Sequence, residues 1–163
     1  MTMEIEMKIR GLMVDPSTQM PIVLLKDPES EALLPIWVGL YEANAIALEV
    51  EKAQAPRPLT HDLLRNLIRS LNGRVVRVVV TELKDDTFYA VIWIEQNGEI
   101  VSVDARPSDA LALALRTDCP VFVDQDVLLA AKVLPNPVEQ ASSQDVKKWL
   151  ENLNDEDLGR YKM

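Results

Sequence analysis

The sequence predicts one compact α+β domain, in which helices pack against a mixed or antiparallel sheet, with a helical tail after it. The predicted elements run as three strands, two helices, three strands and then helices, which differs from the regular strand–helix alternation of parallel-sheet proteins. The chain has 163 residues, of which 48% are hydrophobic. That length and composition suit a single core and exclude wholesale disorder.

Three strands are predicted at the start of the chain. The first alternates strictly over residues 4–10, with hydrophobic side chains on one face and charged side chains on the other. The second covers residues 21–26 and the third about residues 32–38, each preceded by a turn rich in Asp, Pro and Ser. Because Pro35 has no amide hydrogen to donate, the third strand is predicted to be an edge strand or to be bulged there.

Two helices follow. Small and branched hydrophobic residues recur every three or four positions over residues 43–50, which predicts a helix that can approach the sheet closely. Prolines at positions 56 and 58 enforce its end. The second helix is predicted to begin after Thr60 as N-cap and to end at Asn72-Gly73. Its hydrophobic residues form one apolar stripe: Leu63, Leu64, Leu67, Ile68 and Leu71.

The second half of the chain repeats the strand pattern and then returns to helices. Two valine-rich strands are predicted at residues 74–83 and 87–95, joined by a tight Asp85-Asp86 turn, and Asn97-Gly98 leads into a short strand at residues 100–103. Proline is tolerated in a first helical turn, so Pro107 predicts a helix start. The last predicted elements of the body are this helix to residue 115, a strand at 120–123 and a helix at 127–132.

Pro135-Asn136-Pro137 marks the predicted end of the body. We therefore expect a domain over residues 1–134 and a C-terminal helical extension over residues 135–163. In that extension Trp149 and Leu153 would share one helix face. An apolar face of this kind needs a partner, either the body or another subunit.

The charge balance limits the possible partners. Acidic residues number 26 and basic residues 17, a formal net charge of −9, which opposes non-specific coating of DNA. One basic-rich stretch runs from Arg65 to Lys84, and its simplest interpretation is a solvated helix face. Aromatic residues make up 5% of the chain and are not interleaved with these bases, so no base-stacking platform is predicted.

Composition also predicts the location. The single cysteine, Cys119, excludes an internal disulfide framework and a cysteine-based zinc cluster, and its apolar neighbours predict a buried thiol. No apolar run reaches the roughly 18 residues that span a bilayer, and residues 1–10 lack a signal-peptide core. The sequence therefore predicts a soluble cytoplasmic protein.

Three segments combine polar side chains with the start of a predicted helix. They cover residues 34–43, 57–62 and 104–110. Helix N-termini present free backbone N–H groups and favour anions, so convergence of these junctions would create a pocket suited to phosphate. The phosphate-binding patterns GxxxxGK[ST] and GxGxxG and the catalytic motifs HExxH and GxSxG are absent from the sequence.

Residue type suggests a role for each polar side chain in these segments. His61 is the candidate general acid or base because histidine titrates near neutral pH. Arg57 and Arg106, each held extended by a following proline, could clamp phosphate oxygens, Arg106 in the catalytic step itself. Ser108 is a further candidate for binding substrate. The candidate oxygen ligands for Mg²⁺ or Mn²⁺ are Asp104, which is also a catalytic candidate, Glu42 and Asp109.

The same residues also have structural interpretations. Glu42, Asp62 and Asp109 lie in predicted first helical turns, where acidic groups complement the helix dipole. Asp104 suits an Asx turn, and His61 suits an exposed position at a helix start. The arginines suit ion pairs with neighbouring aspartates. A site requires the candidate residues to converge, whereas the structural interpretations leave them on separate faces.

These segments together resemble the bifunctional nuclease domain family of bacterial and plant proteins. The resemblance lies in the Leu34–Gly39 run with Glu42-Ala43, the Arg57–Leu64 run and the Asp104–Leu115 run, in that order and spacing. The Trp149-Leu150-Glu151-Asn152 segment is similar to the family's usual C-terminal end. The resemblance covers nearly the whole chain and implies a compact α+β fold, self-association and nuclease activity on both DNA and RNA.

Two functions follow from these observations. One is a nuclease that hydrolyses phosphodiester bonds in DNA, RNA or both, with Mg²⁺ or Mn²⁺ to offset repulsion between an acidic chain and phosphate. The other is a non-catalytic binding or regulatory module that forms a homo-oligomer, either a dimer or a trimer. Chelator-sensitive cleavage that co-purifies with the protein would distinguish the first from the second.

Overall fold

The computed structural model describes residues 3–132, and within them it contains seven strands and four helices. The predicted C-terminal extension lies outside the described residues. The elements in chain order are β1 (Glu4–Val14), β2 (Pro21–Lys26), β3 (Leu33–Trp37), α1 (Leu40–Val50), α2 (Thr60–Ser70), β4 (Gly73–Lys84), β5 (Thr87–Gln96), β6 (Glu99–Ala105), α3 (Pro107–Thr117), β7 (Val121–Asp124) and α4 (Gln125–Ala131).

All seven strands form one sheet in the order β3-β2-β1-β7-β4-β5-β6. Every neighbouring pair is antiparallel except β4 and β7, which are parallel. The predicted α+β class with a mixed sheet is confirmed. β3 lies at one edge, as the missing amide hydrogen of Pro35 predicts, and β6 lies at the other.

The two predicted hairpin turns are confirmed by their backbone angles. Asp85 and Asp86, between β4 and β5, have φ values of 52° and 59°, and Asn97 and Gly98, between β5 and β6, have φ values of 53° and 81°. Two successive residues with positive φ make the turn whose twist matches that of antiparallel strands. Asp, Asn and Gly adopt this backbone more readily than other residues, which is why the sequence reveals both turns.

The helices and one face of the sheet enclose a single core. Hydrophobic residues from all seven strands and from the helices belong to one contiguous buried cluster or pack against it. α3 is the central helix, with eight of its 11 residues buried between α1, α2 and strands β4 and β5. None of the helices found between residues 3 and 132 is long and apolar enough to cross a membrane.

α2 differs from its prediction in two respects. Leu59 is the N-cap and Thr60 the first helical residue, and the carboxylate of Asp62 accepts a hydrogen bond from the Leu59 N–H at 2.9 Å. The apolar stripe is mostly solvent-exposed, because α2 packs on α3 and β4 through a different face and only Ile68 joins the core. The stripe residues that are 39–64% exposed are Leu63, Leu64, Leu67 and Leu71.

The pairing of β6 with β5 decides on which face of the sheet each residue lies. Val103 pairs with Ile92, whose side chain belongs to the helix-covered core, and Asp104 pairs with Val91. Since neighbouring residues in a strand point to opposite faces, Asp104 lies on the face away from the helices. Val103 remains exposed on the helix-covered side because α2 and α3 lie over β4 and β5 rather than over the edge strand.

Candidate active site

The first turns of α1, α2 and α3 converge on one cleft of about 200 Å³. Helix N-termini carry partial positive charge and free N–H groups, so three of them at one place favour a bound anion. The convergence that the three sequence segments suggest is therefore present. The cleft is lined by Tyr41, Glu42, Asn44, Ala45, Leu48, Leu59, Thr60, His61, Arg106 and Asp109.

His61 and Asp109 form a hydrogen-bonded pair in this cleft. The His61 side chain is buried, and its Nε2 lies 2.8 Å from Oδ1 of Asp109. An ionised carboxylate only accepts hydrogen bonds, so Nε2 carries the hydrogen and donates it. No residue in the described part of the chain bonds to Nδ1, which is then the ring nitrogen able to accept a proton.

Arg106 bridges two carboxylates at the mouth of the cleft. Its Nε donates to Asp109 Oδ2 at 2.9 Å, and its Nη2 donates to Glu42 Oε1 at 2.7 Å. These hydrogen bonds, of which the one to Glu42 contributes most, raise the pKa of the guanidinium above its ordinary value. The side chain is still 65% exposed, so a ligand can reach it from solvent.

Gly39 provides the space that Glu42 occupies. Gly39 is the N-cap of α1, and the Glu42 carboxylate folds back against it so closely that a Cβ at Gly39 would collide with the carboxylate. The Glu42 side chain is mostly buried as a result and presents one oxygen to Arg106. The Gly39 backbone thus places Glu42 opposite Asp109.

A second, buried arginine holds the three helices together beneath the cleft. The Arg116 side chain is 1% exposed, and its Nε donates to Asp62 Oδ1 at 2.8 Å. Its two terminal nitrogens donate to the carbonyl of Ala112, at 2.8 Å, and to that of Ala45, at 3.0 Å. Arg116 therefore connects α3 with α1 and α2 and fixes how their N-termini approach one another.

The pKa of Asp62 reflects this arrangement. Burial alone would raise the pKa, but the hydrogen bonds from the Leu59 N–H and from Arg116 together outweigh burial, so the pKa lies below its ordinary value. The sequence reasoning missed Arg116. The signal was available, since Arg116 is the one charged residue in the otherwise apolar run from Ala110 to Arg116.

Three candidate residues lie outside the cleft. Asp104 is exposed on the opposite face of the sheet, and its side chain has no hydrogen bond or ion pair with any described residue. Arg57 is exposed in a separate cleft of about 370 Å³ that it shares with Arg65. Ser108 is buried in the first turn of α3 and does not line the cleft. The structure thus joins Glu42, His61, Arg106 and Asp109 in one network.

The candidate carboxylates do not form a ready metal site. Across residues 3–132 there is no group of three or more His, Cys, Asp or Glu side chains placed to hold a metal ion. Glu42 and Asp109 each bond to Arg106, and Asp104 lies on the other face of the sheet. The described residues therefore offer no preformed cage of protein ligands, and an ion held by one or two of these carboxylates would take its other ligands from water or a phosphate.

Part of the basic-rich stretch is neutralised by neighbours. Arg74 pairs with Glu95 at 2.7 Å, and Arg77 pairs with Glu4 while its guanidinium lies over the ring of Trp93. Both arginines belong to β4, as the predicted strand over residues 74–83 places them. Their bonds are those of structural surface residues and do not single them out as phosphate ligands.

Chemically, the cleft combines a proton acceptor, an anion-binding cation and helix N-termini. His61 is oriented by Asp109, which is the usual relation between a general base and its positioning carboxylate. Arg106 lies beside this pair and can donate to an oxyanion. The arrangement suits proton transfer next to a bound phosphate or carboxylate.

Comparison with known proteins gives a consistent result. The family model described as "Bifunctional nuclease domain" matches residues 23–136. An uncharacterized protein of Mycobacterium tuberculosis is 38% identical over 144 residues, covering 88% of this chain and 86% of that protein. Two plant proteins are more distant. Bifunctional nuclease 1 of Oryza sativa subsp. indica is 28% identical over 130 residues, 76% of this chain and 39% of that protein.

Bifunctional nuclease 1 of Arabidopsis thaliana is 27% identical over 118 residues, covering 71% of this chain and 36% of that protein. The alignments to the plant proteins thus cover less than half of their lengths, whereas the mycobacterial alignment covers most of both chains. The matched region includes α1, α2 and α3, whose first turns form the cleft. The chain belongs to the bifunctional nuclease domain family.

Proposed function

We propose that this protein is a nuclease that hydrolyses phosphodiester bonds of DNA or RNA in the cleft between α1, α2 and α3. The observation that carries the proposal is the His61–Asp109 pair next to Arg106 at three converging helix N-termini. Membership of the bifunctional nuclease domain family and the similarity to plant proteins of that name support it.

In the proposed reaction, Nδ1 of His61 accepts a proton from a water molecule as the water oxygen attacks phosphorus. The new O–P bond forms, the bond from phosphorus to the leaving sugar oxygen breaks, and that oxygen takes a proton from solvent. Asp109 holds the imidazole in the required tautomer and stabilises the imidazolium that results. Arg106 and the helix N-termini stabilise the charge that develops on the phosphate oxygens.

Substrate binding can use the free end of the Arg106 guanidinium. Glu42 and Asp109 hold its Nη2 and Nε, and Nη1 has no partner among the described residues. With neutral His61 the four side chains carry one net negative charge. A phosphate group can therefore bind at Nη1 while the two carboxylates keep the arginine in position, and the exposure of Arg106 gives it access.

Dependence on Mg²⁺ or Mn²⁺ stays a prediction. The donors in the cleft do not fit a preformed divalent-metal site, and the proposed proton transfer uses only His61, Asp109 and Arg106. Cleavage assays with Mg²⁺, with Mn²⁺ and with chelator test this point separately from the roles of the side chains. Location in the cytoplasm likewise stays a prediction.

The decisive experiment compares wild type with His61→Gln on defined DNA and RNA strands. Glutamine can still donate from its amide nitrogen to Asp109 but cannot take up the proton, so we expect cleavage to fall by about 10²-fold or more. Arg74→Gln, which removes an exposed ion pair far from the cleft, provides a control preparation with the same background of host nucleases. Equal cleavage by His61→Gln and wild type would overturn the assignment.

A non-catalytic oligomeric module is the second candidate, and exposed apolar surface favours it. The leucines of α2 and the edge strand β6, with Ile100, Val101 and Val103, are exposed. Antiparallel pairing of two β6 strands about Ser102 places Val101 of one copy opposite Val103 of the other and brings no like charges together. We therefore propose self-association of two copies through β6 and α2.

Light scattering tests this association. We expect a mass above the 18.3 kDa of one chain at micromolar concentration, and Val103→Lys should restore the monomer by placing a charge in the pair. A monomer at all concentrations would refute it. If the protein associates but cleaves no strand with any metal, the binding module is the better description.

A further inference from the structure

The cleft beside His61 has a second half that the proposed reaction does not use. Tyr41, in the first turn of α1, lines the cleft and is 70% exposed. The wall next to it is apolar and consists of Leu48, Leu59 and Ala45. An exposed aromatic ring beside an apolar wall provides a surface on which a flat ring can stack.

Asn44 supplies a polar group to the same half. It lies one helical turn after Tyr41 and lines the cleft, and its Oδ1 is out of contact with solvent and has no hydrogen-bond donor. Among the side chains of residues 3–132, this is the one buried polar atom left unpaired. Buried acceptors are normally satisfied, so an unpaired one in a cleft points to a donor that a ligand brings.

We infer that this half of the cleft is a nucleobase subsite, in which Tyr41 stacks on a base and Asn44 hydrogen-bonds its edge. The inference rests on the proposed function, because a strand whose phosphate contacts Arg106 must place the adjoining base close by. Tyr41 and Arg106 line the same cleft, so phosphate and base can occupy it together. Stacking on one aromatic side chain is a common way to hold an unpaired base.

The amide of Asn44 can serve any base. Every natural base has an N–H at its edge, which is an exocyclic amino group in adenine, cytosine and guanine and a ring N–H in uracil and thymine, so an amide oxygen can accept from each of them. A half-turn about the last side-chain bond of Asn44 exchanges Oδ1 and Nδ2, so the amide can present either an acceptor or a donor to the cleft. The subsite therefore binds a base without selecting one base over another.

Binding of single nucleotides tests the subsite without any cleavage. The probes are adenosine, cytidine and uridine 5′-monophosphates and ribose 5-phosphate, which has no base, titrated into the full-length protein by calorimetry or NMR. We expect each nucleotide to bind about fivefold or more tightly than ribose 5-phosphate. Tyr41→Ala should weaken binding of all three by about fivefold to a hundredfold, and Tyr41→Phe should keep it within about twofold. Asn44→Leu should weaken binding of all three nucleotides by about twofold to tenfold and leave the binding of ribose 5-phosphate unchanged.

Tyr89→Ala is the matched control, since Tyr89 is an exposed tyrosine of β5 outside the cleft, and it should leave all three affinities unchanged. Binding of the three nucleotides by wild type no tighter than that of ribose 5-phosphate, or Tyr41→Ala with unchanged affinities, would overturn the subsite. Nucleotide binding as expected without strand cleavage would refute the nuclease and retain the subsite. Strand cleavage at the wild-type rate by Tyr41→Ala, with no tighter binding of nucleotides than of ribose 5-phosphate, would refute the subsite and retain the nuclease.

Discussion

The two arginines of α3 show how one helix serves two purposes. Arg116, in the last turn, is 1% exposed and donates to Asp62 and to two backbone carbonyls. Arg106, the N-cap, is 65% exposed and donates only to carboxylates, those of Glu42 and Asp109. Arg116 donates from all three guanidinium nitrogens, whereas Nη1 of Arg106 has no partner among the described residues. The two arginines thus differ both in access to solvent and in the number of bonded nitrogens.

This difference in access has a physical consequence. Water cannot replace the partners of Arg116, so breaking its bonds leaves a buried charge unpaired, which is costly. At Arg106 solvent reaches the guanidinium itself, so binding of a phosphate there costs little. Arg116 should therefore act on stability and Arg106 on activity, and the following experiments test that division.

Removal of Arg116 should have the largest effect. Arg116→Met keeps much of the side-chain volume but leaves Asp62 without its cation, and we expect the free energy of unfolding to fall by about 3 kcal/mol or more. Urea unfolding followed by circular dichroism measures the change. If the free energy of unfolding falls by less than about 1 kcal/mol, the buried bonds of Arg116 do not hold the helices together. The assignment of stability to Arg116 and activity to Arg106 would then be wrong.

Removal of Arg106 should lower activity and leave stability nearly unchanged. If the proposed nuclease activity is present, Arg106→Gln should lower cleavage by about 10²-fold, close to 2.7 kcal/mol of transition-state stabilisation, and change stability by under about 1 kcal/mol. Arg74→Gln is the matched control, because Arg74 is 68% exposed and has an ion pair of the same 2.7 Å length. The division fails if both variants lose activity equally, or if Arg106→Gln unfolds as readily as Arg116→Met.

Asp15 extends the comparison to a buried carboxylate that has no arginine. It accepts hydrogen bonds from the Trp37 indole at 3.0 Å and from the Ser17 N–H at 2.9 Å, and these, that from Trp37 first, hold its pKa well below the ordinary range. Since the folded pKa lies below the unfolded value of about 3.9, Asp15 contributes stability above about pH 4. That contribution is lost as the pH falls through the folded pKa.

Trp37→Phe should therefore lower the free energy of unfolding by about 1 kcal/mol at neutral pH. The difference in unfolding free energy between wild type and Trp37→Phe should become smaller as the pH falls toward about 2. Urea unfolding of both proteins at several pH values measures this gap. A gap that stays constant with pH would mean that lost packing of the indole, not the hydrogen bond, causes the change.

Local sequence patterns predicted much of the fold. Alternation predicted the first strand, and valine-rich runs predicted β4 and β5. Paired residues tolerant of positive φ predicted both hairpin turns, and Pro35 predicted an edge strand or a bulge, of which the structure has the edge strand. The three polar segments at helix starts also indicated the cleft that α1, α2 and α3 form. These signals succeed because each depends on backbone preferences within a few residues.

Long-range partners could not be predicted in this way. Nothing near Arg116 in sequence shows that Asp62 and Ala45 will surround it, because those contacts depend on how α1, α2 and α3 pack. The exposure of the α2 leucines has the same cause, since periodicity reveals an apolar stripe but not which element covers it.

Substitution of Asp104 should have the smallest effect of these changes. Asp104 also shows most clearly the difference between what local sequence patterns predict and what long-range strand pairing decides. Its position at the end of a strand, before a helix, made it a candidate metal ligand and catalytic residue. The hydrophobic residues of β6 occur on both faces, so local sequence does not say which way Asp104 points. Its pairing with Val91 places it on the face away from the helices, across the sheet from His61.

We therefore expect Asp104→Asn to keep strand cleavage within about twofold of wild type and to leave stability within about 0.5 kcal/mol, because the side chain is exposed and bonds to no described residue. The assay is the one used for Arg106→Gln, with Mg²⁺ and with Mn²⁺. Loss of activity in Asp104→Asn, without loss of stability, would mean that the reaction uses both faces of the sheet. Since one cleft cannot span a sheet, the second face would then have to come from another copy of the chain, and β6 is the edge at which such a copy could add.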